Sequence, residues 1–241
     1  MDPWMKVLIM FIKCAAVVGA AVLLGNGAVY FFNKMPARWF VDYGEEPDPD
    51  SSLMDPYTQR IKSHPWKTVF TMLFVILGLW MGADDIGYAA AACLSIWLLI
   101  EMAIGDALYR IIPDQLIILL GVTALGYIPY ATDWRHYVYG AGIGLGIMLL
   151  IALLGRLVYR QDTLGGGDIK LFAVLGLIAG PFGILEIFAM STVLSVIHYL
   201  YLLGNHKVKK GDRMPMAPYI APAAMIFLAF LWGRAEVIWE L

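Results

Sequence analysis

Eight long stretches of predominantly apolar residues constrain this 241-residue chain more than any other feature of its sequence. Apolar residues make up 61% of it and charged residues 15%, where soluble domains have about 25% charged residues. A helix that crosses a bilayer needs about 20 mostly apolar residues. The first stretch lacks a convincing cleavage site, which favours a span over a signal peptide. We therefore predict an all-α integral membrane protein, a polytopic bundle of about eight transmembrane helices, at 7–32, 68–83, 87–105, 114–131, 136–158, 169–180, 182–203 and 217–233.

Charge and cysteine content exclude several other classes of protein. The net charge of −2 argues against a nucleic-acid binder, which would present a basic face. The two cysteines, Cys14 and Cys93, lie in separate apolar stretches, and neither belongs to a CxxC pair or a Cys/His cluster. We therefore expect the lipid bilayer as a partner, no nucleic acid and no metal site.

The distribution of positive charge predicts how the chain is oriented. When the loops are taken alternately, 13 of the 17 Lys and Arg residues fall on one side of the membrane and four on the other. Because cytoplasmic loops carry the excess of Lys and Arg, both termini are expected outside. We divide the chain into 1–67, the first helix with a cytoplasmic loop, and 68–241, a core of about seven helices. The segments expected in the cytoplasm are 33–67, 106–113, 156–168 and 204–216.

Two aspartates lie where this topology brings distant segments together. Asp106 ends the third predicted span, and Asp168 begins the sixth. Two complete spans separate them, and an even number of crossings returns a chain to the same face. A carboxylate at a membrane boundary is costly and needs a reason. We expect both side chains to meet at the cytoplasmic boundary.

A pair of carboxylates in one site has a distinctive chemistry. Both cannot ionise easily, so their proton affinities split, and one acts as a base towards water while the other polarises a carbonyl as an acid. This is aspartic protease chemistry, which requires no metal, cofactor or nucleophilic side chain. The alternative is that Asp106 and Asp168 are helix-boundary residues, with Asp168 capping the sixth span.

Three glycines, Gly165, Gly166 and Gly167, precede Asp168 directly. Glycine can adopt backbone conformations closed to other residues and leaves room for another chain. A site that admits an extended peptide beside a carboxylate would justify three of them in succession.

The motifs around both aspartates resemble those of one family. The sequence GGGDIKL at 165–171 matches the GxGDxKL signature of type IV prepilin peptidases, the bacterial GxGD membrane aspartic proteases. Asp106, followed after six residues by Pro113 and Asp114, resembles the other motif of that family. The stretch 213–219 resembles the segment before its last span, so that the resemblance covers roughly 87–233.

This resemblance implies the reaction and the residues that carry it. The expected activity is cleavage of the leader peptide of prepilin or pseudopilin substrates at the cytoplasmic face of the bacterial cytoplasmic membrane. Asp114 is expected to be an N-terminal residue of the fourth span rather than a catalytic one. The implied catalytic residues are Asp106 and Asp168, and the implied supporting or substrate-binding residues are Gly165, Gly166, Gly167, Lys170 and Pro113.

The first third of the chain departs from the family pattern. Many members carry two CxxC pairs in the loop after the first span, whereas 33–67 contains no cysteine. In bifunctional members this region is linked to methylation of the new N-terminus with S-adenosylmethionine. We therefore expect no cofactor, and S-adenosylmethionine only if that second activity is retained.

Other interpretations stay open at this point. The client could be a preflagellin or a competence pseudopilin, or the chain could be an ion or proton transporter, or a scaffold with an inactive dyad. Lys170 either supports the site or extends to the lipid headgroups. Glu101 is expected to be structural, and His198 to be a hydrogen-bonded interior residue.

Overall fold

The computed structural model describes residues 2–41, 44–47, 53–55, 58–130, 133–160, 164–208 and 214–233. Within those ranges all regular secondary structure is helical, which confirms the predicted all-α class. The helices are α1 (Pro3–Lys34), α2 (Ser63–Asp84), α3 (Ile86–Tyr109), α4 (Asp114–Thr123), α5 (Trp134–Tyr159), α6 (Gly166–Gly204) and α7 (Ala217–Ile226).

Three short elements complete the chain. A 3₁₀ turn at Ala37–Phe40 follows α1, a 3₁₀ segment at Ala124–Tyr130 continues α4, and a π-helix at Phe227–Leu231 continues α7. Among the described residues, five helices are long and apolar enough to cross a membrane, and the two composite elements are shorter apolar ones. The five long helices are α1, α2, α3, α5 and α6.

The longest helix, α6, contains two of the predicted spans. Gly180 interrupts it with φ 74° and ψ −177°, a conformation essentially restricted to glycine. The rings of Phe172 and Phe188 lie 6.1 Å apart, whereas 16 residues of straight helix would separate them by about 24 Å. The helix therefore folds back at Gly180, and its halves 166–179 and 181–204 run antiparallel. All eight predicted segments are thus present as separate helical pieces.

Glycines let α5 approach the first half of α6 closely. A Cβ on Gly140 would collide with the backbone of Gly176 and Gly180, and one on Gly144 would collide with the carbonyl of Phe172. Small residues at such a contact bring two helix backbones together, which is how helices associate in lipid without a hydrophobic driving force. This packing fixes the half of α6 that begins near Asp168.

The chain divides into two compact units, Met1–Trp97 and Leu98–Leu241. In the first unit, Arg60 closes the C-terminal end of α1. Its guanidinium donates to the carbonyls of Met35 at 2.7 Å and Phe32 at 3.2 Å, and it lies 5.2 Å from the centre of the Phe40 ring. These bonds satisfy carbonyls that the end of a helix leaves without partners.

We predict that Gly180→Ala lowers the free energy of unfolding by about 2 kcal/mol or more, because alanine is strained at this φ and ψ. The added Cβ would also collide with the ring of His136. Denaturant unfolding in detergent micelles measures the change. Gly146→Ala in α5 is the control, because its Cβ would meet nothing within 4 Å and should be neutral or stabilising. Equal effects of the two substitutions would contradict the described reversal of α6.

Candidate active site

Asp106 is buried near the C-terminal end of α3, with 6% of its surface exposed. Its Oδ2 accepts a hydrogen bond of 2.9 Å from the backbone N–H of Ala217, the first residue of α7, and the N–H of Met216 donates to the carboxylate as well. The N-cap residue of α7, Met216, makes no side-chain cap hydrogen bond. Asp106 therefore caps this helix from a different one, and a carboxylate at a helix N-terminus is favoured by the helix dipole.

The positive charge of Arg110 interacts with the Asp106 carboxylate. Arg110 lies one turn after Asp106, and its backbone N–H donates to the Asp106 carbonyl at 3.0 Å. Its φ of 59° ends α3 in the left-handed conformation. The sequence interpretation used Arg110 only to orient the chain and missed this position.

Asp168 is the third residue of α6, and the two oxygens of its carboxylate have different surroundings. Its carboxylate accepts a hydrogen bond from the backbone N–H of Gly165, the residue that precedes the helix. Its Oδ1 is buried and has no hydrogen-bond partner among the described residues. The helix-cap interpretation thus explains one interaction of Asp168 and leaves a buried oxygen that it does not explain.

The carboxylates of Asp106 and Asp168 lie close enough for their charges to interact. Residues 62 positions apart in sequence are thus within electrostatic range of each other in the second unit, and their placement at a cytoplasmic boundary stays a prediction. Two interacting carboxylates bind and release protons as a coupled pair rather than singly. Such a pair can supply a proton acceptor and a proton donor at one site.

The three glycines contribute space rather than unusual backbone conformations. Gly165 is extended, Gly166 and Gly167 begin the helix, and none of them has a positive φ. The expectation that their backbone freedom is used is therefore wrong. A Cβ on Gly167 would lie 3.0 Å from Cβ of Ile112, whereas one on Gly166 would meet nothing within 4 Å.

Lys170 pairs with Asp114 rather than with Asp106 or Asp168. Its Nζ lies 2.7 and 2.8 Å from the two carboxylate oxygens of Asp114, and both side chains are more than half exposed. Asp114 is the first residue of α4, as predicted, and the buried Pro113 precedes it. The ion pair joins the start of α4 to the start of α6.

Two further polar residues lie in the same unit. Glu101 is fully buried on α3, and neither carboxylate oxygen has a hydrogen-bond partner in the part of the chain that the structure describes. Nδ1 of His198 lies 2.6 Å from the hydroxyl of Tyr219. The predicted hydrogen bond of His198 is confirmed, but its side chain is exposed rather than interior. Tyr219 was missed, although it ends the 213–219 stretch; Arg213 of that stretch lies outside the described residues.

Comparison with known proteins relates part of this chain to one family. Residues 93–200, which include both aspartates, match the model of the type IV leader peptidase family. The family resemblance of the two motifs is thereby confirmed, while the match ends before α7 begins.

Curated relatives carry the name prepilin leader peptidase/N-methyltransferase. A Bacillus subtilis protein is 29% identical over 171 residues, which are 70% of this chain and 65% of the relative. Proteins from Stutzerimonas stutzeri and Pseudomonas aeruginosa are 30% and 32% identical over 152 residues, 60% of this chain and 50% of each relative. The chain thus spans between half and two thirds of the length of these relatives. No solved structure matches the chain.

The contact between Gly167 and Ile112 predicts that two neighbouring glycines differ in their tolerance of alanine. Gly167→Ala should lower the free energy of unfolding by about 1 kcal/mol, because the branched Cβ of Ile112 leaves no space for a methyl group. Gly166→Ala should be neutral or stabilising, because its Cβ would meet nothing within 4 Å. Denaturant unfolding of both variants tests this, and a tolerated Gly167→Ala would contradict the described contact.

The Lys170–Asp114 pair predicts a measurable but small coupling energy. A double-mutant cycle with Lys170→Met and Asp114→Asn should give about 0.2–1 kcal/mol, the range of exposed ion pairs, and less at high salt. A parallel cycle of Lys170→Met with Asp168→Asn should give a smaller value. Coupling of Lys170 to Asp168 alone would show that Lys170 faces the candidate catalytic pair instead.

Proposed function

We propose that this chain is a membrane aspartic endopeptidase that cleaves the leader peptide of type IV prepilin-like proteins, with Asp106 and Asp168 as its catalytic residues. The observation that carries the proposal is the buried, unpartnered Oδ1 of Asp168 in a site where its carboxylate interacts with that of Asp106. A buried carboxylate oxygen without a donor is costly unless a ligand completes its hydrogen bonds. Water and the substrate carbonyl are such ligands. The match of residues 93–200 to the type IV leader peptidase family and the names of the relatives support the same reaction.

The two carboxylates have complementary parts in peptide hydrolysis. Oδ1 of Asp168 is free to hold water, whereas Oδ2 of Asp106 is fixed by the N–H of Ala217. One carboxylate takes a proton as water attacks the scissile carbonyl, and the protonated partner donates its hydrogen to the carbonyl oxygen. When the tetrahedral intermediate collapses, the C–N bond breaks and the leaving amine takes a proton from the pair.

The supporting residues shape the approach to this pair. Gly166 leaves space in which an extended substrate segment can lie beside Asp168. The Gly167–Ile112 contact and the Lys170–Asp114 ion pair hold the start of α6 against the segment that ends in Pro113. These residues thus keep the substrate side of the site in a fixed geometry.

The proposed location is the cytoplasmic face of the bacterial cytoplasmic membrane. The excess of Lys and Arg in alternate loops supports this orientation, with both termini outside and the division at 67/68 retained. A client inserted by its own hydrophobic helix would present its leader junction at that boundary. Preflagellin or competence pseudopilin clients would use the same two carboxylates.

Methylation of the product is not part of the proposal. The relatives are named N-methyltransferases as well, which brings S-adenosylmethionine into consideration. In the Met1–Trp97 unit, a groove of about 390 Å³ is lined by apolar side chains such as Ala16, Leu24 and Phe74. This lining does not fit the charged sulfonium and amino-acid groups of S-adenosylmethionine. Among the described residues no group of three or more His, Cys, Asp or Glu side chains could hold a metal ion.

Both Asp106→Asn and Asp168→Asn should reduce cleavage of a prepilin substrate by at least about 100-fold, because each removes an acid–base group. Single-turnover cleavage in proteoliposomes, with product detected by mass spectrometry, measures the effect. Asp133→Asn is the matched control, since asparagine caps α5 as well as the native aspartate does.

Folding of each variant is checked by its unfolding transition. Asp106→Asn keeps an oxygen that can accept from Ala217, so loss of activity with a native transition would be chemical in origin. Cleavage that survives either substitution would remove that aspartate from the proposed mechanism.

A further inference from the structure

The first turn of α7 is held by two contacts from two different helices. The N–H of Ala217 donates to Asp106 at the end of α3. Two residues later, the hydroxyl of Tyr219 lies 2.6 Å from Nδ1 of His198 on the second half of α6. The donor that orients the candidate catalytic aspartate therefore lies beside a residue that is tied to another helix.

The reversal at Gly180 explains why His198 reaches this place. Asp168 and His198 are 30 residues apart on α6, a separation of about 45 Å in a straight helix. Because the helix folds back, both lie at the end of the unit where Asp106 meets α7. The His198–Tyr219 bond thus connects the returning half of α6 to the site.

Tyr219 is buried, and its ring contacts that of His198. It is 8% exposed, and its ring centre lies 5.7 Å from that of His198. The imidazole also stacks on Tyr201, with ring centres 6.4 Å apart and an angle of 19°. The hydroxyl of Tyr219 is also within electrostatic range of Asp106 and Arg110.

Local geometry couples the tyrosine to the Ala217 amide. Only Pro218 separates Ala217 from Tyr219, and the proline ring fixes its own φ. The N–H of Tyr219 donates to the carbonyl of Met216 at 3.0 Å, which closes the turn that contains Ala217. A displacement of Tyr219 would therefore redirect the Ala217 N–H that Asp106 accepts.

We propose that His198 and Tyr219 are positioning residues of the peptidase site, whose hydrogen bond holds the first turn of α7 so that Ala217 keeps the Asp106 carboxylate in its reactive orientation. This rests on the proposed function. Neither residue exchanges a proton with the substrate; both act through the backbone N–H that Asp106 accepts.

Conservative substitutions test the bond without removing the rings or the helix. Tyr219→Phe and His198→Leu should each lower kcat about three- to tenfold, the value of one hydrogen bond, and leave KM unchanged. His198→Asn should restore most of kcat, because its amide occupies the position of Nδ1. Tyr137→Phe is the matched control, since it removes a 2.6 Å hydroxyl bond to the Tyr127 carbonyl in the same unit.

A second measurement does not depend on activity. Hydrogen–deuterium exchange of the peptide 214–219 reports few amides, those of Met216, Ala217 and Tyr219, because positions 215 and 218 are prolines. Exchange there should rise in Tyr219→Phe and His198→Leu, and stay at the native rate in His198→Asn and Tyr137→Phe.

The possible results separate this proposal from the proposed function. Native exchange in Tyr219→Phe, an unchanged kcat, or a rise in KM alone would overturn the positioning role. A double variant whose loss of kcat is the product of the single losses would also overturn it, because one shared bond can be lost only once. If the unaltered chain cleaved no prepilin, the proposed function would fail, and faster exchange in the two variants would still establish the connection to α7.

Discussion

The hydrogen bond from the Ala217 N–H to Asp106 Oδ2 satisfies two groups that could not be buried alone. A carboxylate with 6% exposure needs donors, and the first turn of a helix has N–H groups without acceptors. Each meets the requirement of the other, so the end of α3 and the start of α7 are fixed together. Asp106 therefore has a defined orientation before any substrate is present.

The reversal of α6 at Gly180 supplies the second part of the site. Without it, Asp168 and His198 would lie at opposite ends of one long helix. With it, the first half brings Asp168 towards Asp106, and the second half returns His198 to Tyr219. The candidate site thus differs on its two sides, since Asp106 is held by backbone donors while Asp168 keeps a buried oxygen without a partner. Such an unpaired oxygen can accept a hydrogen bond from a ligand, and it does not stabilise the fold by itself.

The length of the apolar stretches was sufficient to predict the helices, because a bilayer forces every span to be apolar and to satisfy its own backbone. The parity of crossings also predicted that Asp106 and Asp168 share one face of the membrane, and the electrostatic interaction between them is consistent with that prediction. The Ala217 N–H could not be foreseen, because a backbone donor leaves no mark in the side-chain sequence. A supporting role for Lys170 was implied by the family resemblance, whereas its spacing from Asp168 placed it on another face of the helix. That spacing could not show that Asp114 at the start of α4 is its partner.

Chemical cross-linking tests most directly whether the two aspartates meet. The substitutions Asp106→Cys and Asp168→Cys would be made in a chain whose native Cys14 and Cys93 are replaced by alanine. A protease site introduced between positions 106 and 168 would then reveal the cross-link on a gel. With a short cross-linker that carries two thiol-reactive groups, applied in native membranes, the two fragments should remain joined after proteolysis. The same result is expected for a His198→Cys, Tyr219→Cys pair that has a protease site between its own two positions. Fragments that separate for the 106–168 pair, while the 198–219 pair stays joined, would contradict a shared site for the two carboxylates.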